Sequence, residues 1–454
     1  MKKIICMIMI VTVFIGAMPL ISYGDKYVDF IDVKIEQNKE LNETVRLFSE
    51  YGFYIYEKDR KDRDVLDIID TEIHILGNYA DDIEIYSVDG LLITTIPGDG
   101  SVIIGSQDEN NSIIKVDENR YRDYITFLIN GNSVIIINHI YIENYLFGVL
   151  PREIPASSAA DALKAQAIIA RSYTHTTLNK HRSEGYDLCS TTHCQVYGGY
   201  EWEHPATNQA IIHTYGEYIA YDGQIINTPY HSNSGGHTES SEKVWGGKLP
   251  YLVGVQDKFS MNSPNSSWSI KLTPGELGSK LSTNGINIGD VKDLEIIETT
   301  SSKRVEKVKI IGTTGEEVIT GEKLRSIIGA NDLKSTLFSI DKEGSSNTKK
   351  VYVLDGSGQG PKEVGLSGMN IVDGNNKTTV SRNLSNRVRG NETTTDIEGA
   401  LNVQARTFTF QGKGYGHGVG MSQYGAIEMA KLGYNYEEII KHYYNSVEII
   451  NLGK

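Results

Sequence analysis

The chain is poor in cysteine: only three of its 454 residues are Cys, at positions 6, 189 and 194. Cys6 falls in an apolar run with no lipobox-like context, so a lipid anchor is not expected. Cys189 and Cys194 leave room for a single disulfide. Positive charge is also scarce, with 44 Lys and Arg against 58 Asp and Glu, a formal net charge of -14. Phosphate contacts need Lys and Arg, so this balance argues against a nucleic-acid partner. An anionic membrane surface offers it no attraction either. No repeat of fixed period is present, which sets aside solenoids and propellers. The glycine-rich stretches lack the GK[ST] ending of a phosphate loop, and no G-x-S-x-G elbow marks a serine hydrolase.

At the start, Lys2 and Lys3 precede an uncharged apolar run from Ile4 to Ile21. This is the pattern of an export signal, residues 1–24, with small residues at Ser22–Gly24 for cleavage; a retained membrane anchor has the same signature. Either reading places the remainder outside the cytoplasm. The 27 tyrosines offer flat apolar faces with hydroxyls. Such side chains suit a polar polymer such as a glycan, although they fill ordinary β-rich cores equally well.

Residues 25–130 read as short strands of β-branched and aromatic residues separated by turns, an N-terminal β-rich part. "YIENYLFGVL" has helical spacing, and Pro151 is expected to end that helix. A second helix is expected from about Ser158 to His181, opening on a capping box of Ser158 and Asp161. Residues 131–340 read as helices followed by further strands, 341–403 as a polar loop insertion, and 404–454 as a glycine-rich segment with a helical end. The expected class is α+β, β-rich with a few packed helices.

Four stretches carry chemistry. In "LPREIPASSAADALKAQ" the lone acid Glu153 lies between Pro151 and Pro155, a stiff setting that would hold a general acid in place. A solvated loop glutamate paired with Arg152 is the plainer reading. In "HRSEGYDLCSTTHCQVY", His181, Cys189, His193 and Cys194 form a Cys2His2 set suited to tetrahedral zinc, with a Cys189–Cys194 disulfide as the alternative. In "YHSNSGGHTESSEKVWGG", His231, Ser234, His237 and Glu239 cluster about Gly235 and Gly236, which allow a sharp turn or a close backbone approach. A polar turn is the bland reading, and a zinc hydrolase using His231, His237 and Glu239 a third. In "GKGYGHGVGMSQYGA", glycines alternate at 412, 414, 416, 418 and 420 around His417, and Ser422 and Gln423 follow. A backbone laid against a ligand is expected there.

Together these stretches resemble the SpoIID/LytB family. "LPREIPASSAADALKAQAIIARSYT" is similar to its glutamate loop and following helix, "YHSNSGGHTESSEKVWGGKLPYLVGVQD" to its second block, and "GKGYGHGVGMSQYGA" to its third. The likeness spans most of 30–340 and 404–450, but not the insertion. It implies an exported peptidoglycan lytic transglycosylase used in engulfment during sporulation, with the catalytic acid on Glu153. Because three distant segments each combine glycine or helix-terminal geometry with displayed polar groups, Arg171, His231, Ser234, Gly235, Gly236, Glu239, His417, Ser422 and Gln423 are expected to meet the glycan strand on one groove with Glu153. Zinc-binding members match at Cys189, His193 and Cys194; His181 is the candidate fourth ligand of a closed structural Zn2+ site remote from the chemistry. Other members are amidase enhancers, which makes a non-catalytic peptidoglycan-binding protein the competing class. An amidase or other engulfment proteins are then the expected partners.

Overall fold

A computed structural model describes residues 29–58, 66–108, 112–343 and 407–453, with short strands between 350 and 397. The segment read as an export signal lies outside the described residues. The fold is α+β and β-rich. It separates into two compact units, one of residues 1–153, 171–227 and 448–454, the other of 154–170 and 228–447.

In the first unit, period-two patterning sets the strands. Glu72–Gly77 and Asp82–Ser87 bury Ile73, Ile75, Ile83 and Ile85, while the alternate positions are less covered. They belong to a six-stranded sheet that also contains Asn119–Arg122, Ile113–Val116, Val45–Phe48 and Leu92–Pro97. A seven-stranded sheet contains Phe30–Glu40 and Ser133–Tyr141, paired antiparallel. Ser133–Tyr141 is buried almost throughout, which explains its unbroken apolar run "VIII". Because this strand pairs with Phe30–Glu40, the first unit continues across the boundary expected at 130.

That strand runs directly into helix α1, Ile142–Glu153. Pro151 does not end α1. A proline forfeits its own donor, but here only the last turn is affected, so Glu153 is the final helical residue rather than part of a free link. Helix α2, Ala160–Thr177, is shorter than expected at both ends. Its alanine-rich face is buried as expected at Leu163, Ala167 and Ala170. After it the chain turns through Arg182–Glu184, and Leu188–Cys189 adds in parallel to the edge of the seven-stranded sheet, opposite Val33 and Lys34. A smaller sheet joins Glu217–Tyr221 to Gln224–Ile225 and to Glu448–Asn451.

The second unit packs two three-stranded sheets and the helices Pro274–Thr283 and Gly321–Ile328 around Leu277, Leu294, Ile310, Leu324, Phe408 and Phe410. The helix at 274 starts with a full capping box of Thr273 and Glu276. Within the polar insertion the described residues form paired strands instead of plain loop: Lys350–Val353 with Lys362–Gly365, Asn370–Val372 with Thr378–Val380, and Asn386–Arg389 with Thr394–Ile397.

Candidate active site and metal centre

Glu153 is half-buried at the carbonyl end of α1. The neighbouring Arg152 lays its guanidinium over the Trp202 ring, 3.8 Å from the centroid. Two phenols lie near the carboxylate. Tyr145 is fully buried and Tyr173 partly so; burial raises both, and the charges of Cys194, Glu153 and Cys189 add to the rise. Tyr145 and Tyr173 therefore feel both Glu153 and the two thiols. Gln195, the residue after Cys194, ties the segment in: its Oε1 accepts from Thr174 Oγ1 at 2.7 Å and from Tyr145 OH at 3.4 Å.

His181, Cys189, His193 and Cys194 converge, with all ligand atoms within 4.8 Å of one another. Both cysteines are free thiols. His181 Nε2 is 3.2 Å from His193 Nδ1 and 3.4 Å from Cys194 Sγ. His193 Nδ1 is 3.7 Å from each sulfur. A tetrahedral ion with bonds of about 2.3 Å to sulfur and about 2.05 Å to nitrogen needs edges of about 3.3 Å between nitrogens and about 3.6 Å between nitrogen and sulfur. The four separations lie within about 0.2 Å of those edges. The surroundings of the four residues also fit. His181 Nδ1 is 2.6 Å from Glu184 Oε1, which turns Nε2 towards the cluster, and the ring stacks on Tyr186 at 4.8 Å. Tyr186 OH in turn donates to Glu184 Oε2 at 2.8 Å. Burial opposes ionisation of Cys189, yet hydrogen bonds from Thr191 and His193 outweigh it and bring the thiol down to about 6. Burial holds Cys194 up.

Arg171 is not on a groove. It is completely buried, with Nε donating to Glu143 Oε1 at 2.8 Å and Nη2 to Glu143 Oε2 at 2.7 Å. Nη1 and Nη2 also donate to the carbonyls of Glu217 and Ile211. A buried charge needs such a partner, so Arg171 is explained as a core residue of the first unit.

In the second unit the two distant motifs are knitted together. Tyr230–His231 pairs in parallel with Met421–Ser422, Asn233 bridges Tyr415, and Glu239 bridges Val419. Most of the expected contact residues serve this joint. Ser234 is buried, its Oγ donating to Asp257 Oδ2 at 2.7 Å and lying 2.8 Å from Ser260 Oγ. Ser422 is buried, caps the helix Gln423–Lys431 and accepts from Ser234 N. Gln423 is nearly covered. Glu239 accepts from Ser240 N, Thr300 Oγ1 and Ser302 Oγ, and His237 Nδ1 donates to Thr238 O. A His231–His237–Glu239 metal site is set aside, because among the described residues the Cys2His2 cluster is the group whose ligand atoms converge closely enough to hold a metal.

The alternating glycines lie against the protein itself. A Cβ at Gly418 would meet Arg304 Cζ at 2.5 Å, and one at Gly420 would meet Pro229 O at 1.9 Å. His417 keeps an exposed edge beside Trp245, whose ring centroid is 5.2 Å away and which is 52% exposed. His231 packs behind it at 5.5 Å, its Nδ1 donating to Val419 O. Burial, reinforced by Arg325 and Arg304, lowers His417 to about 4; burial, His417 and Arg304 hold His231 well below its ordinary value.

Sequence reasoning missed Arg304, whose buried guanidinium donates to Ser234 O at 2.8 Å and braces Gly418. Its local sequence, "SSKRVEK", reads as a solvated charge run, so no signal marked it. Glu143 and Trp202 were missed in the same way.

Comparison with known proteins adds to this geometry. Residues 130–221 match the family model SpoIID, stage II sporulation protein, and residues 265–362 match a domain of unknown function, DUF8618. An amidase enhancer of Bacillus subtilis (strain 168) is 31% identical over 318 residues, 66% of this chain and 39% of the enhancer. The chain thus spans well under half of that longer protein. Stage II sporulation protein D of the same organism is 26% identical over 328 residues, 69% of this chain and 75% of the relative. An uncharacterized protein of Brachyspira hyodysenteriae (strain ATCC 49526 / WA1) is 28% identical over 335 residues, 74% of this chain and 73% of the relative.

Proposed function

Because the chain belongs to the SpoIID family, we propose that it is a peptidoglycan lytic transglycosylase acting outside the cytoplasm in sporulation, with Glu153 as its acid and base. The observation that carries this reading is the placement of Glu153. It is half-buried at the carbonyl end of α1, and its charge is felt by the phenols of Tyr145 and Tyr173. Most glycosidases use two carboxylates. One suffices here because the substrate's own hydroxyl replaces water. Protonated Glu153 gives its proton to the glycosidic oxygen as the bond from C1 of the muramic residue breaks. The carboxylate then takes the proton of the 6-hydroxyl as that oxygen attacks C1. No water is consumed, the new end is a 1,6-anhydro sugar, and Glu153 returns to its starting form.

Zinc is the ion that suits two thiolates and two imidazoles at these spacings. His181, Cys189, His193 and Cys194 would fill all four positions, so the metal would supply folding energy rather than an activated water. It would fasten the sheet-edge strand Leu188–Cys189 to the segment that carries Gln195, and through Gln195 would steady Tyr145 beside Glu153.

The match to an amidase enhancer supports a second reading, in which the chain binds peptidoglycan and stimulates a partner amidase without cutting glycan. One experiment separates the two. Purified peptidoglycan is digested with the wild-type chain and with Glu153→Gln, and the products are read by mass spectrometry. Anhydro ends with the wild type and a loss of about 10²–10⁴-fold in the variant are expected. Equal product from both, or none from the wild type, overturns the catalytic reading.

A further inference from the structure

We propose that the first unit holds a second ligand site, a pocket for a short peptide bearing both a free carboxylate and an ammonium group. Naming that peptide as the peptide stem of peptidoglycan rests on the function proposed above. The pocket has a volume of about 240 Å³ and is walled by Phe48, Tyr51 and Tyr200, with Glu50, Lys115 and Arg120 among its polar groups. It is smaller than the ~300–1,000 Å³ of drug-sized sites, which favours a small ligand over a strand of sugars.

Three observations point to a ligand. The first is exposed aromatic surface. Phe48 is 42% exposed and Tyr51 57%, although Val45 and Leu47 of the same strand as Phe48 are buried. Rings left open at the mouth of a cavity mark a binding surface more often than chance exposure does. The second is unspent charge of both signs. Arg120 commits its Nε to Glu201 Oε1 at 2.7 Å and its plane to Tyr200 at 4.7 Å. That fixes the guanidinium, and among the described residues its two terminal nitrogens have no partner. Glu50, on the same pocket, has no hydrogen bond or ion pair among the described residues, and Lys115 reaches only the exposed Glu118, at 3.5 Å. Peptide-free glycan offers only the lactyl carboxylates of its muramic residues and no ammonium group, whereas a zwitterionic peptide asks for both signs. The third is the polar floor, where the buried hydroxyls of Ser49 and Ser106 lie 2.8 Å apart.

The pocket also reaches the proposed acid through one short turn. Tyr200 opens the 3-10 turn Tyr200–Trp202. Its ring is held between Arg120 and Arg122, at 4.7 and 4.9 Å, and Arg122 pairs with Glu203 just beyond the turn. Trp202, at the turn's other end, carries Arg152, the neighbour of Glu153. A carboxylate bound by Arg120 would therefore act on the turn that positions Arg152.

The test uses the full chain carrying Glu153→Gln and isothermal titration with two probes: the tripeptide L-Ala-γ-D-Glu-diaminopimelate and a peptide-free glycan tetrasaccharide. The tripeptide is expected to bind, with its Kd weakened at least about tenfold by Glu50→Gln and by Arg120→Ala, at an unchanged melting temperature. Glu50→Gln keeps the inference falsifiable should Arg120→Ala disturb Glu201. Absence of tripeptide binding, binding indifferent to both substitutions, or tetrasaccharide binding lost with the same substitutions overturns it. If the tripeptide binds as expected while the wild type yields no anhydro ends, the pocket stands and the transglycosylase reading falls.

Discussion

Arg171→Ala decides between a core role and a substrate role for a residue in the helix that follows Glu153. The side chain is buried to 0% and Glu143 to 5%, and they share two charge-assisted hydrogen bonds of 2.8 and 2.7 Å. Truncation removes this counter-ion from the buried Glu143 carboxylate and strips the carbonyls of Glu217 and Ile211 of a donor. Breaking a buried pair from one side costs about 3–5 kcal/mol. The isolated charge dominates that cost, so Glu143→Leu combined with Arg171→Met should recover most of it. Urea unfolding monitored by tyrosine and tryptophan fluorescence measures both. A loss below about 1 kcal/mol in the single variant, joined to a raised KM for glycan, would refute the core assignment and return Arg171 to the groove.

Elemental analysis of the native chain should give one zinc, and Cys189→Ser should abolish it and lower the melting temperature before activity falls. Zinc present but removable with loss of activity and no loss of fold would mean the metal does more than hold structure. The second unit should lose stability in acid. His417 falls from 6.5 to about 4 on folding, and a histidine depressed in this way favours the folded state fully above its unfolded value. The contribution then drains away as pH falls from about 6.5 to about 4, at most about 3 kcal/mol and less because solvent reaches the ring edge. Melting curves across that range should fall for the wild type and less steeply for His417→Gln, in which the likewise depressed His231 remains; a flat wild-type profile would count against the burial described.

The strands and the two helices around Glu153 were legible because period-two and 3.6-residue patterns survive where one face is buried. The Cys2His2 cluster was legible too, since its four donors lie close in sequence. The roles of the polar motifs were not. Ser234, Ser422 and Glu239 look displayed in sequence, yet each is buried by a partner far along the chain: Asp257 for Ser234, Ser302 for Glu239, and Ser234 itself for Ser422. The alternating glycines announced a close approach, but not to what; Arg304 and Pro229 fill the space. Pro151 misled because its effect depends on how many turns remain, which only the packed helix fixes.

Glu448–Asn451 lies more than two hundred residues after the strand it pairs with, Glu217–Tyr221, and both belong to the unit that carries Glu153. Tyr218 and Ile219, in the middle of that small sheet, have no exposed surface. As the chain emerges residue by residue, this unit therefore waits for residues 228–447 of the second unit before Glu448–Asn451 can pair. A fragment that stops before residue 448 would present an unpaired, apolar strand edge ready to join another chain.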